Sequence, residues 1–230
     1  MIFPLFFAAL GTSSFGRAVG TLPGLTNVDS FLEFSLASTL VQGVLFGSTT
    51  GGAALATDIS NGFMSRLLAS PSTRTGILVG RLAGGAVFGA MQSAFFILVL
   101  LPFGVRIESG VVGALVMILT GALVALSIGG FMTAMALKTG SAEAVQGSFP
   151  LLFISLFFSS AFFPRESMQG VYQKIANVNP LSYLVEGVRS LTLDELSARA
   201  LAQALLIPVA IGIVSISLSL RQLSKRLAQR

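Results

Sequence analysis

Cysteine, histidine and tryptophan are absent from the 230 residues, and charged residues make up only 10% of them. Without Cys or His the chain has no disulfide framework, no thiol nucleophile, no Cys/His zinc site and no histidine-dependent catalytic triad. Any aromatic belt at a membrane interface must rest on 19 Phe and 2 Tyr. A soluble domain carries about 25% charged residues to wet its surface, and this chain has less than half of that. The 14 Lys and Arg are too sparse and scattered to track a phosphate backbone, so the basic balance points to no nucleic acid. No G-x-x-x-x-G-K-[ST] loop occurs, and Gly140-Ser141-Ala142 lacks the lysine that would hold phosphates.

What is present is apolar: 53% hydrophobic residues and a mean hydropathy of +0.87. The charges punctuate long uncharged runs at 1–16, 34–57, 82–105, 109–137, 144–164 and 200–220. A membrane-crossing helix needs about 20 apolar residues at about 1.5 Å each, so five runs suffice and the first is short. Runs such as Phe95-Phe96-Ile97-Leu98-Val99 do not alternate as barrel strands would. The expected fold is therefore an all-α integral membrane protein. It forms a single transmembrane domain with six spans, near 1–16, 34–56, 76–101, 110–137, 146–163 and 200–220.

The connections at 57–81 and 138–145, together with the tail, hold eight Lys/Arg against two acids, and the remaining connections hold six against seven. The positive-inside rule then places both termini in the cytoplasm. The tail Arg221-Gln222-Leu223-Ser224-Lys225-Arg226 is the strongest anchor, at about 1 kcal/mol per basic residue near an anionic leaflet. Met1-Ile2-Phe3-Pro4 enters the first run without the basic flank of a signal peptide. That start fits a helix beginning inside the bilayer or, as the favoured expectation, a chain that continues upstream.

The connection Asp58 to Arg74 is the most informative segment. Asp58 or Ser60 can cap a helix there, and Pro71 should end it near Ser70. Phe63, Met64, Leu67 and Leu68 fall on one apolar stripe. Such a helix is too short to span. It fits equally a position in the headgroup interface or insertion into the groove of a cytosolic partner. On the other side, Asn179 as N-cap with Pro180 at the first helical position starts an amphipathic helix. Leu181, Leu184, Val185, Val188 and Leu191 line its apolar face, and Glu186 and Arg189 are expected on its polar face. It reads as an interfacial collar or as a lid over an exit path.

Within the runs, Gly76, Gly80, Gly84, Gly85, Gly89, Gly121 and Gly129 have the spacing of close helix packing. Phe149, Phe153 and Phe157 form a stripe that is either packed or lipid-facing, or else a wall for a hydrophobic substrate. Gln42, Ser48, Thr49, Thr50, Gln92 and Ser93 are placed to face a cavity, although Ser and Thr can equally bond their own helix. Carboxylates, which ion-coupled transporters usually bury, are missing from the deep runs, and Arg81 lies near an end where it can snorkel. With no nucleotide loop, energy for pumping must come from another subunit. The competing class is an ion-gradient-driven carrier or channel. A membrane enzyme is disfavoured because no paired carboxylates or nucleophile–base set lie at active-site depth.

Several segments together resemble the type-2 ABC exporter permeases, in particular the bacterial daunorubicin/multidrug-resistance branch. They are Asp58…Gly62-Phe63…Arg66-Leu67-Leu68-Ala69-Ser70-Pro71 with Arg74 and Gly80-Arg81, then Asn179-Pro180-Leu181-Ser182-Tyr183 with Glu186 and Arg189, and Ala161-Phe162-Phe163-Pro164. The resemblance implies a bacterial inner-membrane subunit that dimerises with a second permease copy and binds two cytosolic ABC ATPase subunits. ATP and Mg would sit in those partners, with no cofactor bound directly by this chain. It also implies a coupling helix between spans two and three carrying Asp58, Gly62, Phe63, Met64, Arg66, Leu67, Leu68 and Pro71. The outer helix with Asn179, Pro180, Tyr183, Glu186 and Arg189 would gate the exit. Gln42, Thr49, Gln92, Phe153 and Phe157 are the candidate pathway lining, and lipids surround the whole.

Overall fold

Several helix starts follow a short polar residue, and several helix stops fall at glycine or asparagine. Ser30 caps α2 (Phe31–Ser60), its hydroxyl accepting from Leu32 N at 3.1 Å. Thr73 caps α4 (Arg74–Leu100) by accepting from Gly76 N at 3.2 Å. The left-handed Gly140, with φ +65°, closes α5 (Gly110–Thr139). A computed structural model of the chain describes residues 2–16, 19, 28, 30–68 and 73–228. Among these, α1 (Ile2–Phe15) and α3 (Phe63–Leu68) flank α2; α6 (Ala142–Gln146), α7 (Phe149–Phe157), α8 (Gly170–Val178), α9 (Pro180–Leu193) and α10 (Ala198–Ala228) follow α5. No strand occurs among the described residues. Arg17, Asp29, Ser70, Pro71 and Arg230 lie outside them.

Among the described residues, four helices are long and apolar enough to cross a bilayer: Phe31–Ser60, Thr75–Phe103, Gly110–Thr139 and Ala198–Arg226. They match the uncharged runs because lipid offers the backbone no partner outside the helix. The two remaining runs are different. The 14 residues of α1 reach only about 21 Å along its axis. The run expected as one span at 146–163 is broken: α6 and α7 meet at a turn over 147–148, and α7 ends at Phe157, well before Pro164.

The helix α5 lies at the centre, packed on α2, α4 and α10, and α2 carries the most continuous core. The α4–α5 contact is close because it is floored by glycine. A Cβ on Gly89 would sit 2.6 Å from Gly121 O, and one on Gly121 would sit 1.8 Å from Ser93 Oγ. The hydroxyl of Ser219 on α10 donates to Gly130 O on α5 at 2.6 Å. Glycine spacing on α4 is thus packing at Gly89, whereas Gly80, Gly84 and Gly85 would meet nothing within 4 Å if given a Cβ.

This contrast is testable. Gly121→Val should lower stability by about 1–3 kcal/mol through overpacking, and Gly84→Val should not. Denaturant titration of the purified protein in mixed micelles, followed by circular dichroism, checks both.

Candidate functional site

The basic end of the bundle is built where α2, α3 and α4 meet. Neither Asp58 nor Ser60 caps the short helix as expected, because α2 continues through both. Thr57 and Ser60 bond back to Ala53 O and Thr57 O within it. The chain reverses instead at Asn61-Gly62, where Gly62 adopts φ +71° at no steric cost. Asp58 faces α4, and its Oδ2 accepts from Arg81 Nη1 at 2.7 Å. The apolar stripe of α3 divides. Met64 is 7% exposed and joins the chain's own core, whereas Phe63 is 47% exposed with the Arg66 guanidinium 6.0 Å from its ring. Leu67 is half-buried and Leu68 closes the helix. Arg226 from α10 reaches the same end and donates to Leu137 O at 2.6 Å.

The opposite end is organised by the break after α7. Asn179 caps α9 as expected, Oδ1 accepting from Leu181 N at 2.9 Å, with Pro180 at the first helical position. Its Nδ2 also donates to Ser155 O at 2.6 Å and Phe158 O at 3.1 Å, two carbonyls at the end of α7. Tyr172 donates to Phe157 O, and Ser182 accepts from Ser160 N at 3.2 Å while its carbonyl takes the Ser160 hydroxyl at 3.0 Å. Arg189 does not lie on a polar face. It is 8% exposed, stacked 3.8 Å from the Phe34 ring centre, and donates to Ser160 O at 2.9 Å and Ala161 O at 3.0 Å. Burial lowers its guanidinium to about 10, with Glu186 and Glu166 opposing, so it stays charged at neutral pH.

Glu186 pairs instead with Arg165, whose guanidinium lies 4.4 Å from the Tyr183 ring centre, while Tyr183 donates to Asn177 O at 2.7 Å. Arg165, Glu166, Arg189, Asp194 and Arg199 line a polar cavity of about 390 Å³ at this end. Glu33 at the start of α2 also lies here, accepting from Arg106 N at 3.1 Å.

Between the ends, the expected lining residues separate. Thr49 bonds its own helix at Leu45 O, 3.1 Å away. Phe153 and Phe157 belong to a ring cluster with Phe3, Phe46, Phe149 and Phe162, at centroid separations from 4.8 to 6.5 Å. Phe157 and Gln42 do face one cavity of about 100 Å³, between α1, α2 and the unwound segment after α7. Gln92 lies on another surface, and its Nε2 donates to Gly43 O at 2.9 Å. The serine pair Ser160 and Ser182 was not expected, and no local sequence signal marks two residues that meet only across this break.

Removing the cation should expose the break. Arg189→Met strands the Ser160 and Ala161 carbonyls, at about 1–3 kcal/mol each. Amide hydrogen exchange over 155–165 should rise, with the α4–α5 amides unchanged. Arg189→Lys should give an intermediate effect because an ammonium lacks the planar fork.

Known proteins resemble this chain in sequence. The family model described as ABC-2 type transporter matches residues 1–193. The chain is 28% identical over 192 residues to a daunorubicin resistance ABC transporter permease protein of Streptomyces coeruleorubidus, covering 83% of this chain and 66% of that protein. It is 25% identical over 171 residues to a probable doxorubicin resistance ABC transporter permease protein of Mycobacterium tuberculosis, covering 74% of this chain and 62% of that one. The chain thus spans a little under two thirds of the length of these relatives. With its helical architecture and a family match over most of its residues, the chain belongs to the ABC-2 type transporter family.

Proposed function

We propose that the chain is the membrane subunit of an ATP-driven exporter that moves hydrophobic or amphipathic molecules, drug-like or lipid-like, out of a bacterial cell. Membership of the ABC-2 family carries this reading, and the names of the drug-resistance relatives support the cargo class. Two cytosolic ABC ATPase subunits supply the energy and hold ATP and Mg, and a second permease copy completes the translocation unit. The chain crosses the inner membrane six times with both termini in the cytoplasm. In this arrangement α1 and the α6–α7 segment are the two short crossings.

The short helix α3 is the docking element for the ATPase. The outward-turned Phe63 with Arg66 beside it supports this, since an exposed aromatic next to a cation is the composition of an interface anchor. Asp58 and Met64 are engaged within the chain, so they transmit rather than bind. A push on α3 reaches α2 through the turn at Gly62 and α4 through the Asp58–Arg81 pair. The bundle then rocks between inward-open and outward-open states.

Phe63→Asp should reduce co-purification of the ATPase by about tenfold or more, as loss of an anchor residue does. ATP-dependent export should fall with it. Asp58→Asn should leave co-purification intact and lower transport. The reading fails if Phe63→Asp leaves both unchanged. It also fails if the chain alone in liposomes transports cargo in an ionophore-sensitive, ATP-indifferent way.

A further inference from the structure

A groove of about 520 Å³ runs along the outer surface where α2, α4 and α5 meet. Its floor is glycine: Gly47 and Gly51 from α2, Gly85 from α4 and Gly129 from α5. Gly51, Gly85 and Gly129 would each accept a Cβ with nothing within 4 Å, so the missing side chains leave open space.

The two ends of the groove are polar and unlike. At one, Arg81 uses Nη1 on Asp58, and among the described residues its other N–H groups have no partner. At the other, Gln92 is 3% exposed and its Oε1 has no hydrogen-bond partner among the described residues. The amide orientation is set by Nε2, which donates to Gly43 O, so the free group is the acceptor. That oxygen lies 2.8 Å from where a Cβ on Gly47 would stand, at the lining of the groove beside the half-exposed Phe88 ring. A buried amide oxygen left unbonded is costly, and it calls for a donor.

Arg81 and Gln92 stand eleven residues apart on α4, about three turns and about 16 Å along one face. We propose that this groove binds an acidic amphiphile of the bilayer. Its acid group meets the open Arg81 N–H donors, its apolar body lies on the glycine floor, and a hydroxyl on that body donates to Gln92 Oε1. A packed helix from a second copy answers these groups poorly, because its backbone N–H groups are consumed inside it. The site is independent of the export reading, since occupancy needs neither ATPase nor transport.

The test reconstitutes the purified chain in phosphatidylcholine vesicles doped with stearate or with stearate hydroxylated at mid-chain. Amphiphile retained after extraction and washing is then measured by mass spectrometry. Wild type should keep the hydroxylated probe about fivefold better, the ratio one hydrogen bond gives. Gln92→Leu should erase that preference. Gly85→Leu, whose Cβ would meet nothing within 4 Å, fills the groove and should abolish retention of both probes, while Gly84→Leu, one residue off the groove, should retain both. Equal retention of the two probes by wild type overturns the proposal. So does undiminished retention by Gly85→Leu, or a Gly85→Leu variant whose only effect is to separate crosslinkable pairs of chains.

Discussion

The fold depends on what happens to the backbone carbonyls after Phe157. In an apolar surrounding a helix can stop only where something else takes its last acceptors. Here Tyr172, Asn179 and Arg189 take them, and the chain can leave helical geometry within the protein. Arg189 does the most, because a planar guanidinium reaches two carbonyls at once and its remaining face rests on Phe34. The same side chain ties α9 to α2, and α9 in turn packs against α10 through Gly187, where a Cβ would sit 2.7 Å from Ala204 N.

The two ends of the bundle therefore differ in kind. One carries a short helix whose aromatic residue points away from the core and whose neighbouring ion pair links α2 to α4. The other is a set of interlocked polar contacts around a charged cavity, closed over the break. Between them the interior is apolar and ring-lined, and most of its hydroxyls are spent on their own helices, as at Thr49, Ser93 and Thr120. A chain arranged in this way keeps its charges at the two ends and out of the middle.

Much of this was legible in the residue order. The uncharged runs marked the long helices, Asn179-Pro180 marked the start of α9, and the apolar face of α9 is buried at Leu181, Leu184, Val185, Val188 and Leu191. The short helix between α2 and α4 was also foreseeable, though its start was not. The Asn61-Gly62 turn, and not Asp58 or Ser60, sets its boundary. Other placements share a cause. Asp58, Met64 and Arg189 are each committed to another element, which the pattern of their own helix does not show: Asp58 to α4, Met64 to the shared core, Arg189 to the unwound segment.

Sequence alone determined that this chain lives in lipid and where its long helices run. Both follow from local quantities: the spacing of charges and the cost of an unbonded amide in hydrocarbon. Tertiary structure decided where the fifth apolar run breaks and which polar side chains are spent inside. Those outcomes rest on partners far apart along the chain, such as Arg189 with Phe34 O and Gln92 with Gly43 O. No local pattern encodes such a meeting, because it exists only once the helices have packed.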